Sequence, residues 1–270
     1  MRLHRDNTEF EWKAPAGPFD LLDESQVLAY SETGGFVLEG AFTPAEIAAV
    51  LAVTDTMADA AENDLRAQHD GRHGIARAGE IVFAPHLVVR SPTLAAFARH
   101  PVLVSLAREL IGGDVRLYWD QLVYKHPGTA DEFPWHQDNG YTFVRPQQYL
   151  TCWVALSDAT EENGCPWIVP GLHRYGTLAH RWTSLGFRCL DAPDEARPLV
   201  VPAGSIAVFS SLTPHRTGPN LTDATRKSYI LQYAPEGAVM YPRDGEPQPA
   251  CNPEWQFPVV RDGQAVESSI

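Results

Sequence analysis

Two residues one position apart, His136 and Asp138 in the stretch FPWHQDNGY (133–141), offer an imidazole and a carboxylate that could act together. In a β-strand, residues i and i+2 point to the same face, so a strand here would present both donors side by side. His215, in FSSLTPHRTGPN (209–220), adds a second imidazole after another strand-like run. Two histidines and one carboxylate are the donor set that non-haem iron(II) sites use, on one face of an octahedron with open positions opposite. Arg226 opens the next strand-like run, RKSYILQY. A guanidinium there could take a carboxylate through two parallel hydrogen bonds, as the far end of a metal-chelating 2-oxo acid would require. Thr217 could add a hydroxyl to the same carboxylate, and Ser228 shares the strand face of Arg226. Each feature alone has an ordinary explanation. An H-x-D pair occurs on solvated strands, ten histidines make a downstream one cheap, and Arg226 could pair with Asp223 at the surface.

These residues need a scaffold, and the chain divides by pattern. Residues 1–27 read as a Pro/Gly-punctuated arm, running into one short helix at DESQVLAYSE. GGFVLEGAF is a short strand-like run. In TPAEIAAVLAV, Thr43 as N-cap, Pro44 at the first helical position and Glu46 two positions on make a helix start signal. Residues 62–80 read as a polar loop, IVFAPHLVV as a strand or an irregular apolar segment, and PTLAAFARHPVLVSLARELIGG as one or two helices ended by glycine. From residue 115 the pattern turns to short aromatic and β-branched runs between Gly, Pro, Asn and Asp turns. The expected fold is α+β, mainly β: helical support over 28–114 packed on one sheet, a β core over 115–245 and a C-terminal extension over 246–270, all one domain. Residues 176–198 break the strand rhythm and read as a loop over the mouth of a site.

Composition narrows the setting. Hydrophobic content of 44% with 20% charged residues is that of an ordinary globular protein, and no apolar run is long enough for a membrane span. The net charge of −13 argues against nucleic acid or an anionic membrane as partner. Cys152, Cys165, Cys189 and Cys251 form no CxxC pair and read as buried thiols in a reducing compartment. With no hydrophobic stretch behind the basic residues of MRLHRDNTEFEWK, the expectation is a cytoplasmic protein.

WHQD, then TCWVALSDATEENGCPWIVPGLHRYG, then HRTGPN followed by Arg226, together resemble the phytanoyl-CoA dioxygenase family of iron(II)/2-oxoglutarate oxygenases. The resemblance covers roughly residues 28–245, and its three motifs keep the family's order and spacing. It implies a double-stranded β-helix, a jelly-roll of two facing antiparallel sheets. It also implies His136, Asp138 and His215 as iron ligands and Arg226 with Thr217 at the far carboxylate of 2-oxoglutarate. Trp153 matches a tryptophan beside the cosubstrate in some members and reads equally as core. Gln121 matches a cosubstrate-lining position of variable type. A basic residue that some members carry upstream has no clear match, Arg77 and Arg90 being the options. Asn163-Gly164 and VPGLHRYG read as turns, His173 as structural and Cys165 as a packing residue. Tyr141, Phe143, Trp182 and Arg188 are candidates for the substrate cavity.

The activity implied is that of an iron(II)- and 2-oxoglutarate-dependent dioxygenase consuming O2 and releasing succinate and CO2. It would hydroxylate a small-molecule metabolite, with secondary metabolism one setting, or desaturate, epimerise or close a ring with the same cofactors. Two remoter readings are a cupin-like metal-dependent protein that is not an oxygenase and a silent ligand-binding relative. The expected substrate is neutral or cationic and not an acyl-CoA, whose phosphates call for clustered basic residues. The nearest such residues are Arg72, His73 and Arg77 in one loop and Arg181 with Arg188 in another.

Overall fold

The computed structural model of the protein describes residues 1–267. The helix start at Thr43 forms as its residue types dictate. The Thr43 hydroxyl accepts from the Glu46 N–H at 3.3 Å and the Glu46 carboxylate accepts from the Thr43 N–H at 2.7 Å, opening the helix Pro44–Ala67. Such a cap is worth about 1 kcal/mol. This helix runs through the first part of the expected 62–80 loop, because Leu65 is still buried on its inner side. Asp23 and Gln26 make the same reciprocal cap for Glu24–Thr33. The later helical stretch resolves into Pro92–Phe97 and Pro101–Leu110, each beginning on a proline.

The main sheet is ten-stranded, with Gly35–Leu38, Ile206–Ser210, Leu150–Ala155, Arg226–Pro235, Val115–Lys125 and Ile81–Pro85 side by side and antiparallel. Its two faces alternate along every strand. Leu150, Cys152 and Val154, with Tyr229, Leu231 and Tyr233, meet helix residues such as Val50, Leu103 and Leu106 in one core. Trp153, Ala155, Ala207, Phe209 and Ile230 face the other way, into a second core shared with Phe133 and Cys165. Opposite that inner face lies a four-stranded sheet of Arg197–Pro198, Pro166–Ile168, His215–Thr217 and Phe133–His136. The result is the jelly-roll expected, with the helices on the outer face of the larger sheet.

Two expectations on the parts are corrected. The β core is not confined to 115–245, since Gly35–Leu38 and Ile81–Pro85 join the main sheet and Pro258–Arg261 pairs with Val115–Lys125. Their apolar side chains complete the helix-facing core, Val259 and Val260 among them. Positions 268–270 of the expected extension lie outside the described residues. Within 176–198 the chain forms a hairpin, Arg181–Thr183 against Gly186–Arg188, closed by a glycine at φ +109°. No helix among the described residues is long and apolar enough to cross a membrane.

Candidate functional site

His136 ends the strand Phe133–His136, and its cross-strand partner is His215. The two rings are therefore neighbours by register, with centroids 4.2 Å apart. Asp138 is not on the strand. Gln137 interrupts it: the side chain is buried, donating to the Gly176 carbonyl at 3.0 Å and the Leu212 carbonyl at 2.5 Å and accepting from the Leu178 N–H at 2.6 Å. The Gln137 N–H is likewise taken by His180 Nε2, at 2.9 Å. The chain turns there, and Asp138 opens the short 3-10 turn Asp138–Gly140. The shared-face argument for His136 and Asp138 is thus replaced by a strand end and a turn that converge on one point. Gly140 is required at that turn, since a Cβ would lie 2.1 Å from the His180 ring.

The three donors meet. Asp138 Oδ1 lies 3.9 Å from His136 Nε2 and 3.7 Å from His215 Nε2, a spacing that one divalent ion bonded at about 2.0–2.2 Å to each could bridge. Each imidazole is held from behind. His136 Nδ1 donates to the Pro134 carbonyl at 2.8 Å and His215 Nδ1 to the Thr213 carbonyl at 3.0 Å, which turns both Nε2 lone pairs to the common point. Burial, and then the neighbouring His215 ring, push His136 well below the ordinary histidine value, so its neutral form is the ligand form. The second oxygen of Asp138 accepts from the Thr151 hydroxyl at 2.5 Å.

Arg226 and Thr217 open onto the same cavity, of about 450 Å³, as the three donors. Arg226 is 1% exposed. Its Nη1 donates to Ser228 at 2.6 Å, but Nε and Nη2 have no partner among the described residues, and neither has the Thr217 hydroxyl. A buried guanidinium left so costs several kcal/mol, and burial pulls it down to about 10, still charged at neutral pH. A guanidinium so placed has the geometry to take an anion. Together with the three donors, these orphaned groups fit an iron(II) and 2-oxoglutarate pair. Trp153 lies under the guanidinium, 5.1 Å from ring centroid to the charged carbon. Gln121 lines the cavity and accepts from the Trp119 indole N–H at 2.8 Å. Arg226 does not pair with Asp223.

Other candidates fall elsewhere. Arg77 is spent on the Ser184 and Ile75 carbonyls and Asp131, and Arg90 on the Pro85 carbonyl, so neither reaches the cavity. The basic group that does stand behind Arg226 is its cross-strand partner Lys125, fully buried, whose ammonium donates to the carbonyls of Asp131, Thr217 and Gly218. Burial, and then the Arg226 charge, pull it down to about 6. Tyr141 and Trp182 line the cavity. Phe143 instead stacks on His4, and Arg188 sits by Asp191. His173 is buried against the Ser31 carbonyl, and all four cysteines are free. Asn163-Gly164 is a turn, with Gly164 packed so that a Cβ would meet the Gly218 carbonyl at 2.5 Å. Thr151 could have been found, since it shares Trp153's strand face. Lys125 carried no such signal.

A sequence model described as Phytanoyl-CoA dioxygenase (PhyH) matches residues 30–228. A phytanoyl-CoA dioxygenase of Arabidopsis thaliana is 30% identical over 138 residues, 49% of each chain. A methylphosphonate hydroxylase of Gimesia maris is 34% identical over 128 residues, 47% of this chain and 48% of that one. The chain thus spans about half the length of these curated relatives. An ectoine dioxygenase of Bordetella parapertussis is 27% identical over 236 residues, 79% of this chain and 76% of the relative. Among solved structures, the epimerase SnoN, in complex with Fe3+, alpha ketoglutarate and nogalamycin RO, superposes with a TM-score of 0.66 at 24% identity, covering 82% of this chain and 87% of SnoN. EctD from S. alaskensis gives 0.64 at 21%, over 89% and 85%. At these identities the likeness is one of fold.

Proposed function

The chain belongs to the phytanoyl-CoA dioxygenase family, and from that premise we propose that it is an iron(II)- and 2-oxoglutarate-dependent oxygenase. In this reading His136, Asp138 and His215 hold the metal, and Arg226 with Thr217 holds the far carboxylate of the cosubstrate. Trp153 and Gln121 flank it. The observation that carries the reading is the pair of unsatisfied Arg226 nitrogens, buried in the same cavity as three converging metal donors. A metal-binding protein without a 2-oxo acid would have no reason to keep that charge uncompensated.

Bound there, iron(II) would couple O2 to the decarboxylation of 2-oxoglutarate to succinate and CO2 and so oxidise a substrate C–H bond. The chain's own part is positioning. Pro134 and Thr213 carbonyls fix the tautomers of the two histidines, Thr151 fixes the carboxylate of Asp138, and Arg226 sets the cosubstrate's orientation. Cavity walls such as Phe133, Phe209 and Ile230 keep water from the reacting atoms.

Hydroxylation of a small-molecule metabolite is the reaction we favour, supported by relatives named as hydroxylases and dioxygenases of small molecules. Epimerisation or ring closure would use the same residues, as the names of an epimerase and a carbocyclase among the similar folds suggest. A substrate that is neutral or cationic, and not an acyl-CoA, is supported by a cavity whose one Lys or Arg side chain among the described residues is Arg226. Arg181 and Arg188 both lie by Asp191. No nucleic acid or membrane partner is part of this reading, and four free thiols support a reducing, cytoplasmic setting.

Titrating 2-oxoglutarate into the iron(II)-loaded protein under nitrogen tests the proposal. A visible charge-transfer band should grow and saturate, and admitting O2 should yield succinate. Metal uptake with no such band and no succinate would leave the metal-dependent non-oxygenase as the reading.

A further inference from the structure

The walls of the cavity beyond the metal and cosubstrate positions carry a second pattern. Nine aromatic side chains line it, whereas aromatic residues are 10% of the chain. Three of the lining rings, Trp182, Tyr141 and His136, form a file from the mouth inward, with Phe187 joining the first two from outside the lining and carrying the Arg243 guanidinium 4.0 Å over its ring. Trp182, 60% exposed, meets Phe187 edge-to-face at 4.9 Å. Phe187 meets Tyr141 at 5.2 Å, and Tyr141 meets His136 at 5.3 Å. Trp182 sits on the strand Arg181–Thr183 of the hairpin, largely exposed, and its ring borders the cavity. On the main sheet a bulge does related work. The register shifts between Gln232, opposite Trp119, and Tyr233, opposite Leu117, so Tyr118 is the extra residue and both Tyr118 and Trp119 face the cavity.

Charge is what this part of the cavity lacks. Among the described residues its lining has no lysine and no glutamate, and its formal charges belong to Asp138 and Arg226 apart from the histidines. Once Asp138 serves the metal and Arg226 the cosubstrate, the charges of the loaded centre cancel. A carboxylate, phosphate or ammonium on the substrate would then lose its water without a counter-charge. Polar groups do remain on one side. Tyr118 and Tyr149 pack edge-to-face at 5.2 Å, and their hydroxyls, near Asp138, make no protein hydrogen bond among the described residues. Beside them the Gln232 amide reaches only a long 3.5 Å contact to Thr151.

Resting on the oxygenase reading above, we propose that the substrate is an uncharged molecule built on a flat ring system. It stacks against Trp182 and Tyr141 and presents hydroxyl or carbonyl groups on one edge to Tyr118, Tyr149 and Gln232. Flat rings match the offset and edge-to-face geometry that aromatic walls favour. The edge hydroxyls meet groups that would otherwise lose their water unpaired, which is how a site discriminates most strongly against analogues lacking them.

Three probes of one ring size separate the possibilities: 2-naphthol, 2-naphthoate and a naphthyl-trimethylammonium salt, with methyl glucoside as a neutral molecule that is not flat. Each is titrated by calorimetry into protein loaded with iron(II) and 2-oxoglutarate under nitrogen, so binding is read without turnover. 2-Naphthol should bind at least tenfold tighter than the other three. Trp182→Ala, at an exposed position where folding is not at stake, should weaken it about tenfold, and Tyr149→Phe several-fold. Equal or tighter binding of a charged probe or of the glucoside, or naphthol binding unchanged in both variants, overturns the proposal. The charge-transfer band on the same samples separates the two failures. A normal band with the wrong probe preference refutes the substrate class alone. If the band is missing, the oxygenase reading falls, and the response of 2-naphthol binding to Trp182→Ala and Tyr149→Phe still decides the ring site.

Discussion

The two faces of the main sheet carry buried charged groups that differ in how far the protein satisfies them. On the helix-facing side, Asp120 is fully buried, and its Oδ2 accepts from the Leu87 and Val88 N–H groups and from the Tyr229 hydroxyl at 2.8–3.2 Å, while only Oδ1 has no partner among the described residues. It ties a 3-10 turn to two strands. On the inner side, Arg226 is as deeply buried but keeps two nitrogens, and Thr217 beside it a hydroxyl, without partners among the described residues. Burial without satisfaction is unfavourable, so it persists where something other than folding selects it. On the oxygenase reading, the contrast sets a structural group on one face against a ligand-binding group on the other.

The largest effect belongs to the three donors. His136→Ala or His215→Ala should lower iron affinity more than about 100-fold, beyond the about 10–100-fold typical of losing an outer hydrogen bond, and leave almost no turnover. Metal analysis after gel filtration reads this, and full iron content in both variants would remove the triad assignment. Arg226→Met comes next. Losing a charge-assisted contact of this kind costs about 2–5 kcal/mol, so the 2-oxoglutarate KM should rise tens-fold or more. Iron binding should persist. Thermal stability should hold or increase, since an uncompensated buried charge has gone. A lower melting temperature with an unchanged KM would place Arg226 with Asp120 as a structural group.

Thr151→Val tests the hydrogen bond behind Asp138. Iron affinity should fall about 10–100-fold while Thr151→Ser restores it, and equal iron affinity in both variants would make the contact incidental. Asp120→Ala should do the reverse of Arg226→Met. With three donors left unpaired it should lose at least about 2 kcal/mol of stability by urea unfolding, with the 2-oxoglutarate KM of the folded enzyme within about twofold of wild type.

How much of this was legible in the sequence follows from the same division. The Thr43 cap, the alternation in TCWVALS and the donor types of His136, Asp138, His215 and Arg226 are local, and local patterns survive into the fold. The H-x-D spacing predicts Asp138 on a strand because nothing in HQD shows that the Gln137 side chain is consumed by Gly176, Leu212 and Leu178 from distant segments. The bulge at Tyr118 depends on the register of a strand more than a hundred residues later, and Lys125 on where the Thr217–Gly218 carbonyls come to lie. Hairpin 181–188 is not legible as strands because RWTSLGFR alternates too weakly to mark a strand pair. Chemistry was legible where one residue type carries it, and obscure where two segments must meet.

The smallest effect sharpens the comparison through pH. Burial raises the Asp120 carboxyl to about 6 from the ordinary 3.8, against the pull of Tyr229, the two backbone N–H groups and the Arg90 charge. The folded chain therefore holds this proton more tightly than the unfolded one. Below about pH 4 both states are protonated and the full contribution is present. Between about 4 and 6 the unfolded state releases its proton first, so stability falls as pH rises, by at most about 1.4 kcal/mol per unit, and levels off above 6. Asp120→Asn cannot titrate and should lose that slope. Comparing urea midpoints of the two proteins at pH 4.5, 5.5 and 7 isolates the one carboxyl from all the others. If the difference between them stays constant across that range, Asp120 is already ionised in the native state. The outer face would then tolerate a buried charge as the inner one does, and satisfaction alone would no longer tell the two faces apart.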